Sequence, residues 1–136
     1  MPYDIFGYVE AAPRAPGPWR AAFILDEIAG HPDDFSRTVF GLAKWAEAGS
    51  APLAERGLPD NVSDEVREWM ASTAQFEEEE GNSGEHGHTH ATMAELRAMA
   101  IAPDSPWQTV LTRIAELQNA GGYADTEVRV VVWGNY

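Results

Sequence analysis

The residues whose types and spacing could do chemistry lie close together, between Glu77 and His90. This segment has the sequence EEEEGNSGEHGHTH, in which three histidines occupy alternate positions. Alternate residues of an extended strand project from one face, and imidazole nitrogens bind Zn²⁺ at about 2.0–2.1 Å, so the spacing favours a site for zinc or another divalent transition metal. The candidate metal ligands are His86, His88 and His90, with Glu85 or Asp4 to complete the shell.

The same segment also has the composition of a flexible loop. Gly81, Ser83, Gly84 and Gly87 interrupt it, and residues of these types favour exposed, irregular backbone. Under this interpretation the histidines are polar loop residues without a metal, and a flexible acidic and histidine-rich loop covers about residues 77 to 91. The sequence leaves both interpretations open.

Two further carboxylates, Asp4 and Glu10, share one face of the first predicted strand. Six residues of strand separate them by about 20 Å, whereas even the widest glycosidase carboxylate pair spans about 9.5 Å. We therefore expect them to act separately, as solvated groups or as partners of Arg129 or Arg20 across the sheet. The chain has no cysteine and no G-x-S-x-G, S-x-x-K or phosphate-loop motif, so the sequence leaves open whether the protein is an enzyme.

Acidic residues are concentrated in one part of the chain. The whole sequence has 22 acidic and 9 basic residues, and its formal net charge is −13. Residues 60 to 95 hold ten of the carboxylates and a single base, Arg67, which argues against binding to nucleic acid or anionic lipid. Such a run is either a solvated surface or a docking surface for a basic protein. Imitation of DNA phosphates is less favoured, because four consecutive glutamates do not spread charge over a rigid face.

Two other residues extend this candidate interaction surface. Arg56 begins the sequence RGLPD, which predicts a shaped turn from which its guanidinium reaches an anionic ligand or the acidic residues. Trp45 lies off the apolar stripe of its predicted helix and is therefore a candidate for an exposed contact. The predicted interaction surface comprises Asp60, Asp64, Glu65, Glu68, Glu77, Glu78, Glu79 and Glu80, together with Arg56 and Trp45.

Apolar periodicity and capping residues predict the elements that must position these groups. Strands are predicted over residues 3–10, 19–28 and 127–133, because these segments alternate or are rich in β-branched and aromatic residues. Helices are predicted from Asp33 or Asp34 to Gly49, and from Ser63 into the glutamate run. Two more follow the capping sequences that start at Thr92 and Ser105.

This order, β-β-α-α-α-α-β, predicts an α+β fold with a small antiparallel sheet of three or more strands and about four helices packed mainly on one face. The length predicts a single domain over residues 1–136. Without a long apolar run or a recognisable signal segment, we expect a soluble, cytoplasmic protein that does not insert into a membrane.

Several short motifs occur in a fixed order across nearly the whole chain: DIFGYVE, SRTVFGLA, ERGLPDNVS, EHGHTHATMAEL and VRVVVWGNY. Together they resemble a family of short proteins from bacteriophages and actinobacteria that has no established activity. The resemblance implies a single α+β domain of phage type, located in the host cytoplasm if phage-encoded, and supplies no mechanism. Phe6 and the pair Thr89-His90 replace His and Ser-Trp of the family pattern, so a family-wide metal site at these positions would be altered here.

We therefore expect a small acidic accessory protein of phage type that acts by binding another protein. One alternative is a metal-dependent hydrolase that uses the histidine cluster, with Asp4 or Glu10 as ligand or base. The other is a structural component of the virion, for which a homo-oligomer would be expected.

Overall fold

A computed structural model describes residues 3–44 and 50–136, which form an antiparallel sheet of four strands and five helices. The sheet has the order β2-β1-β4-β3. Its strands are β1 (Asp4–Ala11), β2 (Arg20–Ile24), β3 (Glu85–Thr92) and β4 (Val128–Asn135). The helices are α1 (Asp26–Ala29), α2 (Asp34–Phe40), α3 (Asp64–Glu80), α4 (Met93–Arg97) and α5 (Pro106–Gly121). The predicted α+β class is confirmed.

The two central strands divide the apolar residues between two faces of the sheet. Ile5 and Val9 of β1 join a large core that also receives residues from α1, α2, α4 and α5. Phe6 and Tyr8 face the other way, towards a smaller cluster built on Val131, Trp133 and residues of α3. This division follows from the pleat, because successive side chains of a strand point to opposite faces. Of the five helices that the structure describes, four pack on one face and α3 packs on the other.

Helix α2 is shorter than the sequence predicts. Asp33 caps its start by accepting from the Ser36 N–H, but the helix ends at Phe40 instead of continuing to Gly49. Gly41 adopts a left-handed conformation with φ of 69°, and its N–H donates hydrogen bonds to the carbonyls of Arg37 and Ser36. This arrangement ends the helix. The predicted stop at Gly49 and the candidate contact Trp45 lie outside the described residues.

The predicted loop at about 77–91 is wrong in its secondary structure. Helix α3 continues through Glu77 to Glu80, because glutamate is a good helix former, and ends at Gly81 with φ of 99°. After a short turn the chain enters β3, which pairs with β4 despite its polar sequence. Strand β4 is central and buried, so its main-chain N–H and C=O groups require a partner on this side. The element order is therefore β-β-α-α-α-β-α-α-β.

The capping sequence at Thr92 forms as predicted. Thr92 Oγ1 accepts from the Glu95 N–H at 3.3 Å, and Glu95 Oε1 accepts from the Thr92 N–H at 3.1 Å, which starts α4 directly after β3. None of the helices that the structure describes is long and apolar enough to cross a membrane.

Candidate functional site

A groove of about 650 Å³ that is open to solvent lies between helix α3 and the sheet face beneath it. Val66 of α3 is fully buried against the sheet, and the Trp69 ring lies 5.3 Å from Phe6 and 5.5 Å from Trp133. The remaining faces of α3 are exposed, so the helix forms one wall of the groove. The side chains that define the groove are Tyr8, Glu65, Glu68, Trp69, Phe76 and Glu85.

The groove has an apolar wall that is open to solvent. Phe76, the residue directly before the glutamate run, is 48% exposed although its side chain is large and apolar. Ile24 does not line the groove but pairs directly with Tyr8 across β2 and β1, so it shares the Tyr8 face, and it is 37% exposed. Aromatic and aliphatic side chains in this setting are those that binding partners commonly cover.

Three carboxylates influence the ionisation of the Tyr8 phenol, which lines the groove. Burial is the largest cause that raises the pKa of Tyr8, and the negative charges of Asp26, Glu65 and Glu68 raise it further. The pKa of Asp26 is also raised, first by its own burial and then by the neighbouring charge of Glu27, against a backbone hydrogen bond that lowers it. Within the described part of the chain none of the three carboxylates forms an ion pair. A cation placed here would meet uncompensated negative charge.

Glu85 lines the groove and ties β3 to α3. Its Oε2 accepts hydrogen bonds from Trp69 Nε1 at 2.9 Å and Thr73 Oγ1 at 2.7 Å, and its side chain is only 7% exposed. Its Oε1 is buried 3.5 Å from His88 Nε2, and neither atom has a hydrogen-bond partner among the described residues. The His88 ring stacks on Trp133 with 5.7 Å between centroids. Glu85 thus carries one satisfied and one unsatisfied oxygen.

The three histidines of the candidate metal site are not brought together. The register of β3 against β4 shifts between His86 and Thr89, where Gly87 adopts φ of 71°. This bulge places His86 on the face of Tyr3, whose hydroxyl lies 2.8 Å from His86 Nε2, while His88 lies on the face of Trp133. His90 uses its Nδ1 to bond the Gly57 carbonyl at 2.9 Å.

Hydrogen bonding also occupies both nitrogens of His86. Nδ1 lies 2.9 Å from the Gly84 carbonyl and must donate to it, so Nε2 accepts from the Tyr3 hydroxyl. In residues 3–44 and 50–136 there is no group of three or more His, Asp or Glu side chains that could hold a metal ion. The three rings do not converge as predicted, because the extra residue of the bulge places the His86 side chain on the opposite face of the sheet from the His88 side chain.

Asp4 and Glu10 act separately, as the sequence predicts. Asp4 lies 3.7 Å from the exposed His31 ring. Glu10 is fully buried and accepts from Arg129 Nε at 2.8 Å and from the Ser63 N–H at 2.6 Å. The predicted pairing of Glu10 with Arg129 across the sheet is confirmed, and this pair is a structural contact.

The Arg129 guanidinium is held on every side. It donates to the side-chain and main-chain oxygens of Asn61 at 3.0 and 3.3 Å, and its carbon lies 3.8 Å from the centroid of the Trp19 ring. The Glu10–Arg129 pair therefore joins β1, β4 and the turn before α3, and neither residue lines the groove.

The predicted turn at Arg56 covers the outer edge of β3. Gly57 adopts φ of 81° and donates its N–H to the His88 carbonyl at 2.9 Å. Arg56 forms an ion pair with Glu95 at 2.7 Å, so the predicted pairing with the acidic residues is confirmed. Partial burial raises the pKa of Glu95, but hydrogen bonds from Thr92 and the charge of Arg56 outweigh it and hold that pKa below its ordinary value.

The predicted acidic surface is thus divided along α3. Glu65 and Glu68 line the groove, whereas Glu77 to Glu80 form the exposed last turn of the same helix. Asp64 pairs with Arg67 at 2.9 Å, and Asp60 is exposed in the turn that precedes the helix. Arg56 is committed to Glu95 and contributes nothing to the groove.

Sequence reasoning did not find Tyr8, Asp26 or Phe76. The helical spacing of Trp69, Thr73 and Phe76 was a usable signal for the last of these, because it continues the apolar stripe of α3 by one turn. No such signal marks Tyr8 and Asp26, which meet α3 only through the tertiary fold.

Comparison with known proteins does not assign this chain to a family. No family model, no curated protein and no solved structure matches this chain. The resemblance to short phage and actinobacterial proteins therefore rests on the quoted motifs and stays a prediction.

Proposed function

We propose that this chain is a small acidic accessory protein of phage type that binds another protein, and that the groove beside α3 takes a basic segment of that partner. The observation that carries this proposal is the combination of an open apolar wall with two carboxylates, Glu65 and Glu68, that form no ion pair with any described residue. The apolar surface supplies affinity, and the unpaired negative charges favour a partner segment of positive charge.

The apolar contribution comes from aromatic side chains. Trp69 and Tyr8 line the groove, and Phe76 stands at its rim with about half of its surface exposed. Trp and Tyr are enriched among the residues that contribute most to protein interfaces, because they bury a large area at little entropic cost. A partner that covers Phe76 would also bury the groove behind it.

The electrostatic contribution comes from α3 as a whole. The helix carries seven carboxylates and a single base, Arg67, in a chain whose net charge is −13. A field of one sign speeds the encounter with an oppositely charged partner and weakens as salt screens it. We therefore expect a basic partner whose binding declines with ionic strength.

The test begins with selection of binding peptides from a random peptide library on the purified protein. We expect selected peptides to combine Lys or Arg with apolar residues. In fluorescence anisotropy, the Glu65→Lys, Glu68→Lys double variant should weaken their binding by about tenfold or more. The Phe76→Ser variant should also weaken it, because the apolar contact is lost.

The matched control reverses two exposed carboxylates on the α5 side of the sheet. Asp104→Lys combined with Glu116→Lys changes the net charge by the same amount and should leave binding nearly unchanged. If both double variants lost peptide binding equally, net charge alone would explain the loss, and the groove would be rejected as the binding site. Selected peptides without basic residues would reject the proposed partner chemistry.

A further inference from the structure

Strand β2 is an edge of the sheet, and its outer side is open. Arg20 to Ile24 form backbone hydrogen bonds only with β1 within the described ranges. The opposite edge differs, because β3 is covered by a turn whose Gly57 N–H bonds the His88 carbonyl. Thr89 of β3 adds a side-chain hydrogen bond to the Leu53 carbonyl. An uncovered edge presents unpaired N–H and C=O groups that can pair with another extended chain.

The direction of these groups follows from one hydrogen bond. Leu25 donates its N–H to the Gly7 carbonyl at 2.8 Å. Pairs in an antiparallel ladder alternate between bonded and non-bonded, so Ile24 and its partner Tyr8 form the non-bonded pair. The N–H and C=O of Ile24 must therefore point away from β1, towards the open side.

This open edge is continuous with the groove. The start of α3 contacts β2, and a second cavity of about 400 Å³ lies between Arg20, Ala21 and the first turn of α3. Glu65 borders both this cavity and the groove. Ile24 lies on the Tyr8 face, and Asp26 follows β2 almost directly. Main-chain groups, apolar surface and carboxylates therefore form one surface.

We propose that the partner segment binds as an added strand beside β2, with cationic side chains at every second position. This inference rests on the proposed function and specifies the conformation of its partner. A residue placed opposite Ile24 shares the Tyr8 face, so a long cationic side chain there extends towards the carboxylates of Asp26, Glu65 and Glu68. The intervening residues face the partly buried Phe23 and Ile28 and are therefore apolar.

Glu85, on β3 at the other edge of the sheet from β2, adds to the charge of the groove that the proposed function assigns to a basic segment. Glu85 lines the groove with a side chain more than nine-tenths buried, and its Oε1 has no hydrogen-bond partner in the described structure. A buried carboxylate oxygen left without a donor adds to the negative potential of the groove.

The probe is the acetylated and amidated peptide Lys-Val-Lys-Val-Lys-Val, and the matched control is Lys-Lys-Lys-Val-Val-Val with the same composition. We expect the alternating peptide to bind about tenfold more tightly than the block peptide, because only alternation places all cations on the α3 face. Methylation of single peptide nitrogens should then weaken binding by about tenfold at alternate positions and leave the others unchanged.

The outcomes separate this inference from the function on which it rests. If both peptides bound the parent protein equally well and failed to bind the Glu65→Lys, Glu68→Lys variant, the result would support the acidic groove as the binding site and reject the added strand. A uniform or absent effect of methylation would reject it as well. Failure of both peptides to bind, with no basic residues among library-selected binders, would reject the proposed function itself.

Amide hydrogen exchange of the protein provides the second measurement. The Ile24 amide should exchange fast in the free protein and slowly with the alternating peptide bound, while exchange in β4 stays unchanged. If Ile24 is already protected in the free protein, and sedimentation shows a dimer, the edge pairs with a second copy of this chain and the peptide proposal is overturned.

Discussion

His86 and His88 lie on opposite faces of β3, although only one residue separates them. The bulge at Gly87 inserts that residue without a partner on β4, so the side chains on its two sides no longer alternate in phase. An added Cβ at Gly87 would lie 2.8 Å from Leu42 Cδ2, and φ is positive there, so glycine suits this position on both counts. The bulge separates the rings that the i, i+2 spacing would otherwise bring together.

The first prediction concerns zinc. Because His86 is turned away and both its nitrogens are hydrogen-bonded, we expect far less than one zinc ion per chain after incubation with zinc and gel filtration, as measured by elemental mass spectrometry. One ion per chain that is lost equally in His86→Ala and in His88→Ala would contradict the described geometry. His31→Ala removes an exposed histidine elsewhere and serves as the control.

The second prediction concerns Glu85. Glu85→Gln keeps an oxygen for Trp69 and Thr73 and replaces the unpaired Oε1 by an amide that can donate to His88 Nε2, so we expect the free energy of unfolding to stay equal or rise. Glu85→Ala leaves both donors unpaired and should lower it by about 2–3 kcal/mol.

Urea unfolding at neutral pH measures both variants of Glu85. Glu80→Ala on the exposed last turn of α3 is the control and should stay within about 0.5 kcal/mol of the parent protein. Equal destabilisation by Gln and Ala would mean that the negative charge of Glu85, rather than its hydrogen bonds, holds α3 on β3.

The third prediction concerns the buried Glu10–Arg129 pair. Arg129→Met leaves the fully buried Glu10 carboxylate without its cation and should lower the free energy of unfolding by about 3–5 kcal/mol. The Glu10→Gln, Arg129→Met double variant should recover part of this loss, since an amide can still accept from the Ser63 N–H. Strictly additive effects in chemical denaturation would show that the two side chains do not act as a pair.

The fourth prediction concerns Tyr3. Burial, with a smaller contribution from the charge of Tyr136, raises the pKa of Tyr3 from 10.0 to about 12. Above pH 10 the unfolded chain loses this proton before the folded one does, so the stability that Tyr3 contributes is full below pH 10 and is lost as pH rises towards 12. Ultraviolet titration should show one phenolate forming near pH 12 that is missing in Tyr3→Phe.

The control for this titration is Tyr136→Phe, which removes the neighbouring charge and should move the Tyr3 transition slightly downward. A Tyr3 transition at the ordinary value of 10.0 would show that its ring is solvated, contrary to its burial and its bond to His86.

Local sequence patterns determined the elements whose signals are complete within a few residues. The cap at Ser63, the capping box from Thr92 to Glu95 and the β-branched run of β4 are each recognisable from neighbouring residues. A cap forms its hydrogen bonds within three residues, and a run of β-branched residues favours a strand whatever its partner. The pairing of Glu10 with Arg129 was one of the alternatives that the sequence left open, beside Arg20 and solvent, and the structure selects it.

Strand β3 and the groove were decided by the tertiary structure alone. The sequence GEHGHTH has the composition of a loop, and it forms a strand because the central β4 needs hydrogen-bond partners on that side. The carboxylates around Tyr8 come from α1 and α3, elements far apart in the chain that approach only when α3 packs on the smaller apolar cluster. Composition alone determined that the protein is acidic, whereas the packing of α3 decided which of its carboxylates border an apolar groove.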